Sequence, residues 1–173
     1  VKTKKKAAVL AEQRLTSDRT AAFHDARALA LELALGGPPT RFDPMKAGVV
    51  LQPGETVYRQ VPLWIRVQQD GRWAEASYAD VLVTDMRLLC RFETGRVSVL
   101  WWSGVVAMDV DLAREQIVID YGDGEPVSLF GSWVVPVAVA GVAAIYGTQA
   151  LVDHSALAWL RRAGTGAAGT WGR

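Results

Sequence analysis

Cysteine is almost missing from this chain, and so is histidine. One cysteine, Cys90, and two histidines, His24 and His154, stand among 173 residues. A single thiol cannot form an intrachain disulfide, so packing has to hold the fold. Cys90 sits inside an apolar run, where a buried and inert thiol is expected, and a lone thiol fits a cytoplasmic setting. Zinc needs several Cys or His ligands at set spacing, and none is present, so no metal site is assigned. An excess of either charge is also missing. A formal net charge of +1 argues against a surface built for nucleic acid.

Signals for catalysis are equally sparse. "DHS" at Asp153–Ser155 has the letters of a nucleophile and its base, but neighbours on one helical turn point in different directions. Capping of a helix explains Asp153 and Ser155 more simply. The glycine-rich "YGDGEP" lies between two strands with no helix start to hold phosphate, so it reads as a hairpin tip and not a nucleotide loop. Asp109, Asp111, Asp120 and Asp123 are scattered over strand ends and read as outward-facing. No catalytic residue and no cofactor is assigned. The lysine-rich start, followed by "AAVLAEQRL", is too short and too charged to be the core of a signal peptide.

Half of the residues are hydrophobic and 21% are charged, which suits a packed core. The basic residues cluster at the start. Without Lys2, Lys4, Lys5 and Lys6 the remainder of the chain carries −3. That run reads as a solvated end or as an electrostatic handle for acidic lipid. Next, "TSDRTAAFHDARALALELALGG" is expected to form a helix capped by Ser17 or Asp18 and stopped by Gly36-Gly37-Pro38-Pro39. Its buried face would carry Ala22, Ala26, Leu29 and Leu33. A linker, "PPTRFDPMKAG", follows.

From Val49 the pattern changes to short strands with turns at Asp70-Gly71, Thr84-Asp85-Met86, Thr94-Gly95 and Asp123-Gly124. About seven strands at close spacing predict an antiparallel sandwich or barrel. Runs such as "VLVTDMRLLC" are apolar at neighbouring positions, so parts of the sheet must be covered on both faces, the outer one by a flanking helix. The uncharged stretch 129–147 has two readings. One is a membrane anchor of roughly 28 Å; the other is a helix from about Trp133 to Tyr146, roughly 21 Å long, inside a core. Pro136 fits the first turn of that shorter helix. Such a helix, apolar all round, must be covered on most sides.

Seven tryptophans are an unusual number. Trp101 and Trp102, adjacent on a strand, must face opposite sides, so at most one fills the interior. Trp73, Trp101 and Trp102 are candidate partner anchors. Arg59, Arg66 and Arg72 near the first hairpin are candidates for an anionic-ligand patch, interleaved with Asp70, Glu75 and Asp80.

Taken in order, "QPGE" at Gln52–Glu55, "VLVTDMRLL" at Val81–Leu89, "WWSGVVAMDVDL", a hairpin ending in "VSLFG" and one C-terminal helix resemble the bacterial pleckstrin-homology-like (PH-like) and GRAM-like domains. The resemblance covers roughly residues 49–162. It implies a seven-stranded, strongly bent antiparallel β-barrel closed at one end by the helix. It also implies a non-enzymatic domain that binds lipid headgroups, peptides or proteins. Residues 1–48 then form a basic tail, helix and linker, and 163–173 a flexible tail. The expected function is a binding module for another protein or for self-association. The alternatives are peripheral attachment to acidic lipid and a membrane anchor through residues 129–147.

Overall fold

The structure, a computed structural model, describes residues 2–36, 42–158 and 160, with residues 2–10 described by backbone alone. The expected stop at Gly37–Pro39, Trp159 and the tail 163–173 lie outside the described residues.

Helix α1 spans Lys2–Leu35 without interruption. Ser17 and Asp18 therefore lie inside the helix and do not cap it. No glycine or proline occurs before Gly36, so nothing breaks the ladder of hydrogen bonds. The hydroxyls of Thr16 and Thr20 bond back to the carbonyls of Glu12 and Thr16, so these side chains are satisfied within the helix and do not compete for its end. Ala22, Ala26 and Leu29 are fully buried, on the face that the three-and-four spacing picks out, and Leu33 packs at its margin.

Eight strands follow: β1 (Val57–Gln69), β2 (Arg72–Trp73), β3 (Ser77–Thr84), β4 (Arg87–Phe92), β5 (Val97–Trp101), β6 (Ala107–Asp111), β7 (Gln116–Asp120) and β8 (Val127–Phe130). Their order in the antiparallel sheet is β5-β4-β3-β1-β8-β7-β6, with β2 paired only to the end of β1. Asp70 and Gly71 join β1 to β2 with φ of 50° and 73°, the conformation a two-residue hairpin demands. β1 is long enough to serve both halves of the sheet, pairing with β3 through Ile65 and with β8 from Trp64 onward.

The sheet does not close into the expected barrel. β5 and β6 are both edges, and a tight turn of 3-10 helix at Trp102–Gly104 joins them. Trp102 enters the core there, and its indole N–H donates to the Thr84 carbonyl. The chain is thereby turned away from β5 before β6 can pair with it.

Helix α3 (Val134–Tyr146) begins one residue later than expected and has Pro136 in its first turn. Every residue from Val134 to Val142 is buried. The helix lies between the sheet and α1, so α1 supplies the cover its second side requires. Alanines at 22 and 26 allow the close approach on that side. On the sheet side, a Cβ at Gly141 would come within 2.9 Å of the Met108 sulfur. Residues 129–147 are therefore not a single apolar rod: Leu129 and Phe130 end β8 before the helix starts. No helix among the described residues is long and apolar enough to cross a membrane.

The outer face of β3–β5 is covered by the linker and not by a long flanking helix. Phe42, Val49 and Leu51 pack on Val57, Leu82, Leu89 and Val99. A short helix, α2 (Pro44–Ala47), shapes this strap. Asp43 caps it by accepting from the amides of Met45 and Lys46, and Gly48 ends it at φ 65°. Arg91 holds the strap to the sheet by donating to the Ala47 carbonyl at 2.6 Å.

Candidate functional site

The cross-strand register places three aromatic side chains in one row. Tyr78 on β3 stands opposite Trp64 on β1, and Trp64 stands opposite Phe130 on β8. The neighbours Leu63, Ile65, Ala79 and Leu129 point into the core, so the alternation of a strand sends Trp64, Tyr78 and Phe130 to the outer face. Trp64 is 46% exposed, and the Tyr78 ring meets it edge-on with centroids 5.5 Å apart. Beside this row, Arg66 lies between two rings, its guanidinium carbon 4.7 Å from the Trp73 centroid and 5.5 Å from that of Phe130. The ring faces attract the cation, while the Arg66 Nε is buried without a hydrogen-bond partner among the described residues. An open depression of about 630 Å³ adjoins the row, lined by Trp64, Tyr78, Phe92 and Arg96 among others.

The fold brings together some of the residues picked out from the sequence and separates others. Arg66 and Trp73 stack on each other, and Arg72 is exposed next to them. Arg59 belongs elsewhere. It is mostly buried beside α1, with Nε 2.8 Å from Asp25 and its two Nη atoms 3.0 Å from the Glu32 carboxylate. Burial works to lower the pKa of Arg59, but the bonds and charges of Glu32 and Asp25 raise it overall. It thus ties α1 to the sheet, and the three arginines do not form one patch. Trp102 is buried in the core. Trp101 is 38% exposed on the edge strand β5, where it stacks on Arg87 at 4.7 Å. Lys2, Lys4, Lys5 and Lys6 lie in the first turns of α1, outside the residues whose side chains are described.

The motifs behind the family resemblance meet in a buried clamp. Arg87 donates from Nε and Nη2 to the two oxygens of Glu55, both at 2.8 Å, and from Nη2 to the Val50 carbonyl. The Gln52 amide and the Thr84 hydroxyl also reach the Glu55 carboxylate. Burial works to raise the pKa of Glu55, but the bonds from Arg87, Gln52 and Thr84 outweigh it and hold the carboxyl below its ordinary 4.5. With the Glu55 side chain fully covered, this clamp closes the fold and offers no surface.

The remaining candidates serve local structure. Asp111, Asp120 and Asp123 accept backbone amides two or three residues on, from Arg114, Gly122 and Glu125. His154 caps the 3-10 turn at Ser155–Leu157 by accepting from the Ala156 amide, in the role expected of Asp153. Its ring also rests against Tyr146.

Trp64, Tyr78 and Phe130 are not among the site candidates that the sequence picks out. Their alternation with buried residues was a usable signal. Their alignment was not, because it depends on the register of three strands far apart in the chain. No protein-family model matches this chain, and no curated protein sequence does either.

Proposed function

We propose that this chain is a PH-like, non-catalytic binding module whose outer aromatic row receives another protein or a second copy. The observation that supports the reading is the alignment Tyr78–Trp64–Phe130, with Arg66 and Trp73 beside it. Large, rigid aromatics and stacked arginine are the side chains that carry most binding energy at protein interfaces. Each ring has only two side-chain torsions to fix, so ordering the row on binding costs this chain little conformational entropy. The acidic-lipid alternative is weakened, since Arg59 is paired within the fold and Arg66 is held between rings.

The test is site-specific photo-crosslinking in the producing cell. A photoreactive phenylalanine analogue replaces Trp64, Tyr78 or, as a control on the far edge, Asp109. Discrete protein adducts at 64 and 78 that are absent at 109 support the reading. Their absence, or the same adducts at all three positions, overturns it.

A further inference from the structure

The two edges of the sheet differ. β6 carries Asp109 and Asp111, charges that discourage another strand from adding on. β5 reads Val-Ser-Val-Leu-Trp and carries neither charge nor proline. Its hydrogen-bond parity is set by two bonds: the Phe92 amide donates to the Arg96 carbonyl, and the Trp102 amide to that of Met86. In an antiparallel pair, bonded and non-bonded positions alternate. With the register Leu88↔Leu100, Leu89↔Val99, Cys90↔Ser98, residues 98 and 100 bond to β4, and the N–H and C=O groups of Val97, Val99 and Trp101 point away from the sheet. Among the described residues these outward groups have no partner. Val97 is 56% exposed, and a cavity of about 380 Å³ lies alongside Val97, Ser98 and Leu100.

We propose that β5 pairs with β5 of a second copy, antiparallel and about a two-fold axis at Val99. This rests on the self-association part of the reading above and names its surface. Only an axis at residue 99 lets all three outward positions face each other: Val99 meets its own copy, and Val97 meets Trp101 in both directions. That register makes six backbone hydrogen bonds, and no charge meets its own copy across the axis. A charged residue at 99 would. A second copy therefore offers three matching unpaired positions with no like-charge contact. A five-residue edge buries less than the roughly 1,200 Å² of a stable interface, so the pairing belongs with weak, transient contacts.

The test combines sedimentation velocity from 10 µM to 1 mM with amide hydrogen exchange on the full chain. The expected result is concentration-dependent dimerisation that slows exchange at Val97, Val99 and Trp101, while Ser98 and Leu100 are slow throughout. Val97→Pro removes a donor that the monomer does not use, at the first residue of a strand, and should weaken dimerisation about ten-fold or more. Dimers insensitive to Val97→Pro but lost in Trp64→Ala overturn the β5 assignment and leave the aromatic row as the interface. Protection at 97, 99 and 101 that does not change with concentration means that the chain covers its own edge, which also overturns it. A monomer up to 1 mM overturns self-association, and the crosslinks at 64 and 78 then decide separately whether another protein binds.

Discussion

Arg87 reaches Glu55 across 32 residues of sequence and grips both carboxylate oxygens at 2.8 Å. The pair is buried, so its energetic effect is asymmetric. Removing one partner leaves the other charged, desolvated and unpaired. Glu55→Gln is expected to destabilise the fold by about 3–5 kcal/mol, read from the midpoint of urea unfolding. Replacing both residues by apolar ones of similar volume should cost much less, because no buried charge is then left alone.

The same pair predicts a pH dependence with a definite sign. The folded pKa of Glu55 is lowered, so its carboxylate stabilises the fold above the ordinary value of 4.5. That contribution is lost as pH falls below 4.5 and through the lower folded value. The stability difference between wild type and Glu55→Gln should therefore be full at pH 7 and shrink steadily below pH 4.5. Urea titrations at pH 7, 5, 4 and 3 would reveal a constant difference if the carboxylate were not held this way.

Burial pushes the Cys90 thiol up to about 12. At pH 8 it is protonated and covered, so a thiol reagent such as DTNB should leave the native protein unlabelled and modify one thiol per chain in urea. Fast labelling of the native protein would show that the interior face of β4 is open.

Tyr121 carries a buried hydroxyl with no hydrogen-bond partner among the described residues, and burial raises its pKa to about 12. A group that has given up water without replacement opposes folding. Tyr121→Phe is expected to be neutral or to stabilise by about 1 kcal/mol in thermal or urea unfolding. A loss of 2 kcal/mol or more would mean that the hydroxyl has a partner.

The aromatic row was only half legible in the sequence. Trp64 between Leu63 and Ile65 announces an outward tryptophan through alternation alone. That Tyr78 and Phe130 stand to either side of it follows from pairings 14 and 66 residues apart, and these are fixed by which faces the core buries. The basic patch failed for a related reason. Arg59, Arg66 and Arg72 are close in sequence, yet Arg59 lies among the inward positions of β1, where Asp25 and Glu32 of α1 reach it.

Local chemistry determined by itself several of the turns, the place of one proline and the buried face of one helix. Asp70-Gly71 and Thr94-Gly95 reverse the chain because glycine tolerates positive φ, Pro136 sits in a first turn because it lacks an N–H, and Ala22, Ala26 and Leu29 share a face through helical spacing. Tertiary packing decided what covers what. α1 shields α3, the linker and not a long flanking helix covers Leu82 and Leu89, and the turn at Trp102 leaves β5 and β6 apart. These outcomes depend on shape and volume shared among distant segments, and hydrophobicity along a chain states only that a face must be covered, not by which partner.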